Sequence, residues 1–234
     1  MVASGVSYLR ARKLKLDVNS LIVIIATALL FGLFGAKLMY VFVTYDLSDL
    51  SYIIKNRLWS ALIDGGQVFY GGLLGGVLGA LLGAKIASVW SLLPQYIRAI
   101  VPSIPLAHAI GRVGCFFAGC CYGAPCNGPL CVRFPLSGVY QTVFPIQLVE
   151  SFLNVIIFII LLVFDRKRKD PWRLLALYLL VYAVTRFVLE YFRGDAIRGF
   201  AAGLSTSQWI SLALILVGII LFLPSKKEQK KEYP

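Results

Sequence analysis

Long apolar runs separated by short charged clusters set the pattern along the chain. Runs able to cross a hydrocarbon core of ~30 Å, which takes about 20 helical residues, lie near 20–43, 67–90, 97–118, 146–164, 173–192 and 207–223. They predict about six transmembrane helices in a single integral membrane domain over 1–234, an all-α polytopic helical bundle. Threaded from a cytoplasmic N-terminus, the spans leave 44–66, 119–145 and 193–206 outside. The segment 119–145 is rich in Gly, Pro and Cys and longer than an ordinary connection, which predicts a structured external loop. Pro94, Gln95 and Arg98 precede the third span and Pro102 and Pro105 interrupt it, so a short interfacial stretch and then a kinked helix are expected there.

Composition supports this reading. The chain is 59% hydrophobic and 15% charged, a balance that would cover a soluble globule with apolar patches. Its net charge of +12 is clustered at Arg10, Arg12, Lys13 and Lys15, at Arg166 to Lys169, and at Lys226 to Lys231. Such clusters beside apolar runs mark cytoplasmic ends and bind anionic lipid headgroups, so no nucleic-acid partner is expected. The basic start runs into a long apolar segment with no small-residue cleavage site before Lys37 and Tyr40, which predicts that the first span stays in the membrane.

In the second span Gly71, Gly75, Gly79 and Gly83 recur every four residues. A face without side chains predicts close helix packing; the alternative is room for a lipid chain between helices.

The chemistry lies in two arginine motifs. Arg112 stands in the stretch Gly111 to Gly123 at the outer end of the third span. A guanidinium in hydrocarbon costs ~2.5 kcal/mol or more, so it faces the bundle interior and pairs with an anion, for which phosphate fits its planar fork. Tyr182, Arg186, Glu190 and Arg193 follow at spacings of four, four and three, which places them on one helical face. On the bland reading Arg186 and Glu190 form a buried ion pair and Arg193 snorkels to the interface. Taken together, three arginines against the single carboxylate of Glu190 call for an anionic ligand, and a phospholipid headgroup is the abundant one at that depth.

At these residues the chain resembles the prolipoprotein diacylglyceryl transferase family. Gly111-Arg112-x-Gly114, then Phe116, Gly119 and Gly123, follow the order of the family's signature segment. Further matches are Gly35 through Tyr40, Asp64-Gly65-Gly66, Gly71-Gly72, Pro145 through Glu150, Arg186 through Arg193 and Leu204 through Ser211. The resemblance implies a bacterial plasma-membrane enzyme with its active site toward the outer leaflet. It moves a diacylglyceryl group from phosphatidylglycerol to the signal-peptide cysteine of a prolipoprotein, and Arg112 and Arg186 match arginines the family needs. Gly111, Gly114, Cys115, Cys120, Gly123, Tyr182, Glu190, Arg193 and Tyr40 are the implied substrate-binding positions. Preorganised cations suit the growing charge of an expelled phosphate ester, so no cofactor or metal is expected, and a guanidinium also raises the thiolate fraction of a nearby acceptor.

The chain departs from the family pattern at several points. Tyr70-Gly71-Gly72 stands where the family has His-Gly-Gly, and a tyrosine is a poor base unless strongly perturbed. The sole histidine, His108, lies four residues before Arg112, one turn away on the same face; it is either the proton acceptor or a hydrogen-bonded packing residue. Cys115, Ala118 and Cys120 replace the signature's two Asn and its Glu, and Val2 to Lys15 resembles the end of the family's first helix. All five cysteines, at 115, 120, 121, 126 and 131, fall in this stretch. A disulfide-stapled loop is the leading expectation. A zinc site on Cys120, Cys121, Cys126 and Cys131, or a reactive Cys120 with its pKa lowered by Arg112, are the alternatives. Functional classes outside diacylglyceryl transfer remain open at this point: a phospholipid or anion transporter, or a thiol-redox protein on the same scaffold.

Overall fold

The structure, a computed structural model, describes residues 2–60, 66, 68–193 and 200–223. Asp64, Gly65 and the basic run at 226–231 lie outside the described residues. The chain divides into two compact units, one of residues 11–93 and the other of residues 1–10 and 94–234.

In the first unit, α2 (Val18–Thr44) starts where the Asp17 carboxylate accepts the Ser20 amide at 2.7 Å, an N-cap that satisfies one of the helix's unpaired donors. It packs along α4 (Phe69–Ile86), while α3 (Leu47–Lys55) lies between them in sequence. The glycine stripe explains the pairing. A β-carbon on Gly71 would fall on the Gly35 carbonyl, and one on Gly35 on the Gly71 carbonyl. Gly75, Gly79 and Gly83 press in the same way on Phe31 and Thr27. Packing, not a lipid chain, fills this face. Gly75→Ala is therefore expected to destabilise the unit by about 1–3 kcal/mol, the usual range for overpacking. Gly76→Ala, whose added carbon would meet only the Ala28 carbonyl at 3.7 Å, should leave the thermal midpoint in detergent unchanged.

The second unit begins with part of α1 (Val2–Lys13), and its helices are α5 (Leu93–Ile100), α6 (Ser103–Phe117), α7 (Ile146–Lys167), α8 (Pro171–Leu189) and α9 (Thr206–Phe222). The expected kink lies between α5 and α6, where the axis bends by 46° at Val101 and Pro102. Val101, Ile157, Leu161, Leu174 and Tyr178 form a core cluster between α7 and α8. Asp170 caps α8 by accepting the amides of Trp172 and Arg173, and Ser205 with Gln208 makes a capping box for α9.

By length and composition α2, α7 and the Pro171–Phe192 helix can each cross a membrane, and the bent pair Trp90–Ile100 with Ser103–Phe117 adds a fourth crossing if it is one span. Helices 70–86 and 206–222 are apolar but shorter. Only 17% of the apolar window in α2 is buried inside the protein; Leu29, Leu30, Leu33 and Phe34 point outward, as a lipid-facing surface requires. The protein is a helical membrane bundle.

The expected all-α class omits two small sheets. In the loop 119–145, β1 (Val132–Phe134) and β2 (Val139–Val143) pair antiparallel with an irregular register, and β3 (Phe200–Ala201) pairs with β4 (Leu204–Ser205). Cys126 and Cys131 form a disulfide within that loop, so they are not ligands of the four-cysteine zinc site considered from sequence.

Candidate active site

The centre of the second unit is Glu150, one turn into α7. Its side chain is 3% exposed and meets three arginines from two other segments. Arg112 of α6 pairs with Oε2, while Arg186 of α8 reaches Oε1 at 3.5 Å and Arg193 reaches it at 3.2 Å. Arg186 also pairs with Glu190 at 2.7 Å and donates to the Ser207 hydroxyl at 3.1 Å. Ser205 in turn donates to Glu190 at 3.0 Å.

Two expectations change. Glu190 is not the sole carboxylate at this depth, because Glu150 shares it; among the described residues three guanidinium groups face two carboxylates, which leaves one positive charge in excess. Arg193 does not snorkel, since its side chain is 2% exposed and held on Glu150. Arg112 and Arg186, at 15% and 13%, keep part of their surface accessible. Those two can meet a ligand, whereas Arg193 is consumed in holding Glu150.

A small cavity opens on this cluster, lined by His108, Glu150, Asn154, Tyr182, Thr185, Arg186 and Leu189. His108 accepts a hydrogen bond from Arg112 Nε at 3.3 Å, and its ring lies 5.7 Å from that of Tyr182. Asn154 donates to the Glu150 carbonyl at 2.8 Å, which leaves its own buried Oδ1 unpaired.

The glycines of the signature separate into two kinds. A β-carbon on Gly123 would meet the carbonyls of Phe192 and Phe144 at 2.8 and 2.9 Å, so this glycine lets the loop pass between two chain segments. Around Gly111 and Gly114 a β-carbon would meet nothing within 4 Å; packing does not require these two. Gln147, one turn before Glu150, donates to the Cys120 carbonyl at 2.7 Å, and Gly123 forms a bridge with Arg193. The cysteine loop is thus fastened to the arginine cluster by its backbone. Partial burial of the sulfur, then the neighbouring Cys121 and Cys115, push the Cys120 thiol up to about 11. This is opposite to the lowered value that a reactive Cys120 beside Arg112 would need.

Tyr40 and Tyr70 belong to the first unit. The Tyr40 ring carries Lys37 Nζ 5.3 Å from its centre and stands edge-on to Tyr45; Tyr70 is half-buried in the first turn of α4.

A second ionic cluster sits at the far end of α7, where Asp165 pairs with Arg98 at 2.5 Å and Arg10 at 3.0 Å. Glu150 and Asp165 are 15 residues apart on one helix, or about 22 Å at 1.5 Å per residue. The two clusters therefore belong to opposite ends of a membrane crossing.

The family model described as prolipoprotein diacylglyceryl transferase matches residues 1–224. A protein of Clostridium tetani named phosphatidylglycerol–prolipoprotein diacylglyceryl transferase is 36% identical over 194 residues, covering 82% of this chain and 75% of its own. A Clostridium perfringens protein carrying the same name with the number 2 is 31% identical over 206 residues, 86% and 77% of the two chains. A third, from Clostridium novyi, is 31% identical over 241 residues, 100% and 90%. The chain belongs to the prolipoprotein diacylglyceryl transferase family.

Proposed function

We propose that this transferase moves the diacylglyceryl group of phosphatidylglycerol to the thiol of a prolipoprotein signal-peptide cysteine, at the cavity lined by Arg186 and His108, with Arg112 bonded to His108 beside it. The observation that carries the assignment of the site is the excess positive charge on two partly accessible arginines, held in place by a carboxylate that is itself buried. A phosphodiester fits that charge, and the open space beside Gly111 and Gly114 suits an acyl chain.

The chemistry follows from the groups present. As the phosphate binds, Arg112 Nε turns from His108 Nε2 toward it; the thiol gives its proton to the nitrogen so released, and its sulfur attacks the glyceryl carbon that bears the phosphate. A carbon–sulfur bond forms and the carbon–oxygen bond breaks. Its electron pair leaves with glycerol phosphate, whose charge Arg112 and Arg186 hold. Glu150, Glu190, Ser205 and Ser207 fix those guanidinium groups before substrate arrives, so little reorganisation accompanies the reaction.

The positive-inside rule puts Arg166 to Lys169 in the cytoplasm. Asp165 with Arg10 and Arg98 marks that side, and the arginine cavity then lies toward the outer leaflet of a bacterial plasma membrane. Vesicles of phosphatidylglycerol with the purified protein and a signal peptide should release glycerol phosphate only when the peptide carries its cysteine. Release that continues with a Cys→Ser peptide would refute the thiol acceptor. In the same assay His108→Gln should lower kcat about 100-fold, within the range of a lost general base, without changing KM for phosphatidylglycerol. A comparable loss confined to Tyr70→Phe would transfer the proton-accepting role to Tyr70.

A further inference from the structure

The five cysteines fall into two sets. Cys126 and Cys131 are joined by a disulfide, whereas Cys115, Cys120 and Cys121 are free, and their three sulfurs lie within 4.8 Å of one another. The backbone produces this convergence. Cys115 ends α6 in its last turn, Gly119 turns the chain at φ 63°, and the Cys120 amide returns to the Cys115 carbonyl at 3.1 Å. Cys121 has φ 58°, a left-handed conformation uncommon for a residue with a β-carbon. The Gln147 bond to Cys120 and the bonds of Gly123 and Ala124 to Phe144 and Phe192 then fasten the turn from outside.

We propose that Cys115, Cys120 and Cys121 form a three-sulfur site for one soft, thiophilic cation, zinc(II) or copper(I). Three sulfurs held about 2.3 Å from one ion stand roughly 4 Å apart, so the observed spread needs only a small closure. A donor set of thiolates alone selects soft ions and rejects calcium and magnesium, which take oxygen. A disulfide within the trio always strands the third thiol, whereas a metal ion uses all three. Binding breaks three S–H bonds, releases three protons to solvent and forms three metal–sulfur bonds, with no change in oxidation state. Copper(I) is satisfied by three thiolates, and zinc(II) completes its tetrahedron with water. The ion ties the end of the helix carrying Arg112 to the loop that Gln147 holds beside Glu150.

The test uses the full-length protein in detergent, reduced, stripped with chelator and kept anaerobic, then given zinc(II) or copper(I) in separate arms and desalted. About one ion per chain is expected to stay bound, to be lost when all three of Cys115, Cys120 and Cys121 are changed to Ser, and to persist in Cys126→Ser/Cys131→Ser. In the unmodified protein the ion should shield those same three cysteines from maleimide, a readout that does not depend on any variant folding. The arm that retains its ion against the greater excess of chelator identifies the metal. No retained ion, equal retention in the triple variant, or a disulfide within the trio in protein isolated without reductant would overturn the proposal.

Discussion

Glu150→Gln is expected to abolish transfer and to destabilise the protein by about 3–5 kcal/mol, the cost of removing one partner from a buried ionic group. Arg112, Arg186 and Arg193 all lean on this carboxylate. The amide keeps its size but removes its charge, so among the described residues the three guanidinium groups then face only the Glu190 carboxylate. The thermal midpoint of the detergent-solubilised protein and the glycerol phosphate assay together check this. A variant that loses activity but keeps its midpoint would mean that the arginines find other partners and that Glu150 serves the reaction only.

Arg112→Ala is expected to lower transfer by about 10²–10³, the usual loss on removing one preorganised donor from a developing anion, while the protein still inserts and folds. Arg186 and Arg193 stay on Glu150 in that variant, and His108 loses its hydrogen bond from Arg112. Arg193→Ala should behave differently. Its side chain is buried against Glu150, so stability should fall together with activity, although the variant keeps the backbone bridge to Gly123. Arg112→Lys should recover only part of the loss, because an ammonium lacks the planar fork that grips a phosphate.

The helical membrane class was legible in the hydrophobic pattern because a bilayer demands long apolar runs, and the four-residue period of the glycine stripe announced close packing without naming its partner. The arginines were legible for the same reason: a charge in an apolar helix has no cheap explanation. Glu150 met that criterion too, three residues after Gln147 in an apolar helix, yet its role was missed. Its partners Arg112 and Arg186 lie 38 and 36 residues away in sequence, and helical periodicity reports only neighbours on one helix. The pairing of Asp165 with Arg10, 155 residues apart, was hidden likewise. The strands in 119–145 escaped because β1 has three residues and its register is irregular, too short for an alternating pattern to declare itself. The spacing of four places His108 beside Arg112, while the raised Cys120 thiol reflects burial of the sulfur first and then two neighbouring thiols, which the spacing to Arg112 does not reveal.

The most direct measurement is the mass of a synthetic prolipoprotein signal peptide after incubation with the reconstituted protein and phosphatidylglycerol of defined acyl chains. One diacylglyceryl group on the peptide cysteine is expected with the native protein, and its formation at a rate about 10²–10³ lower with Arg112→Ala. An unmodified peptide with folded native protein, or equal modification by both proteins, would contradict this expectation.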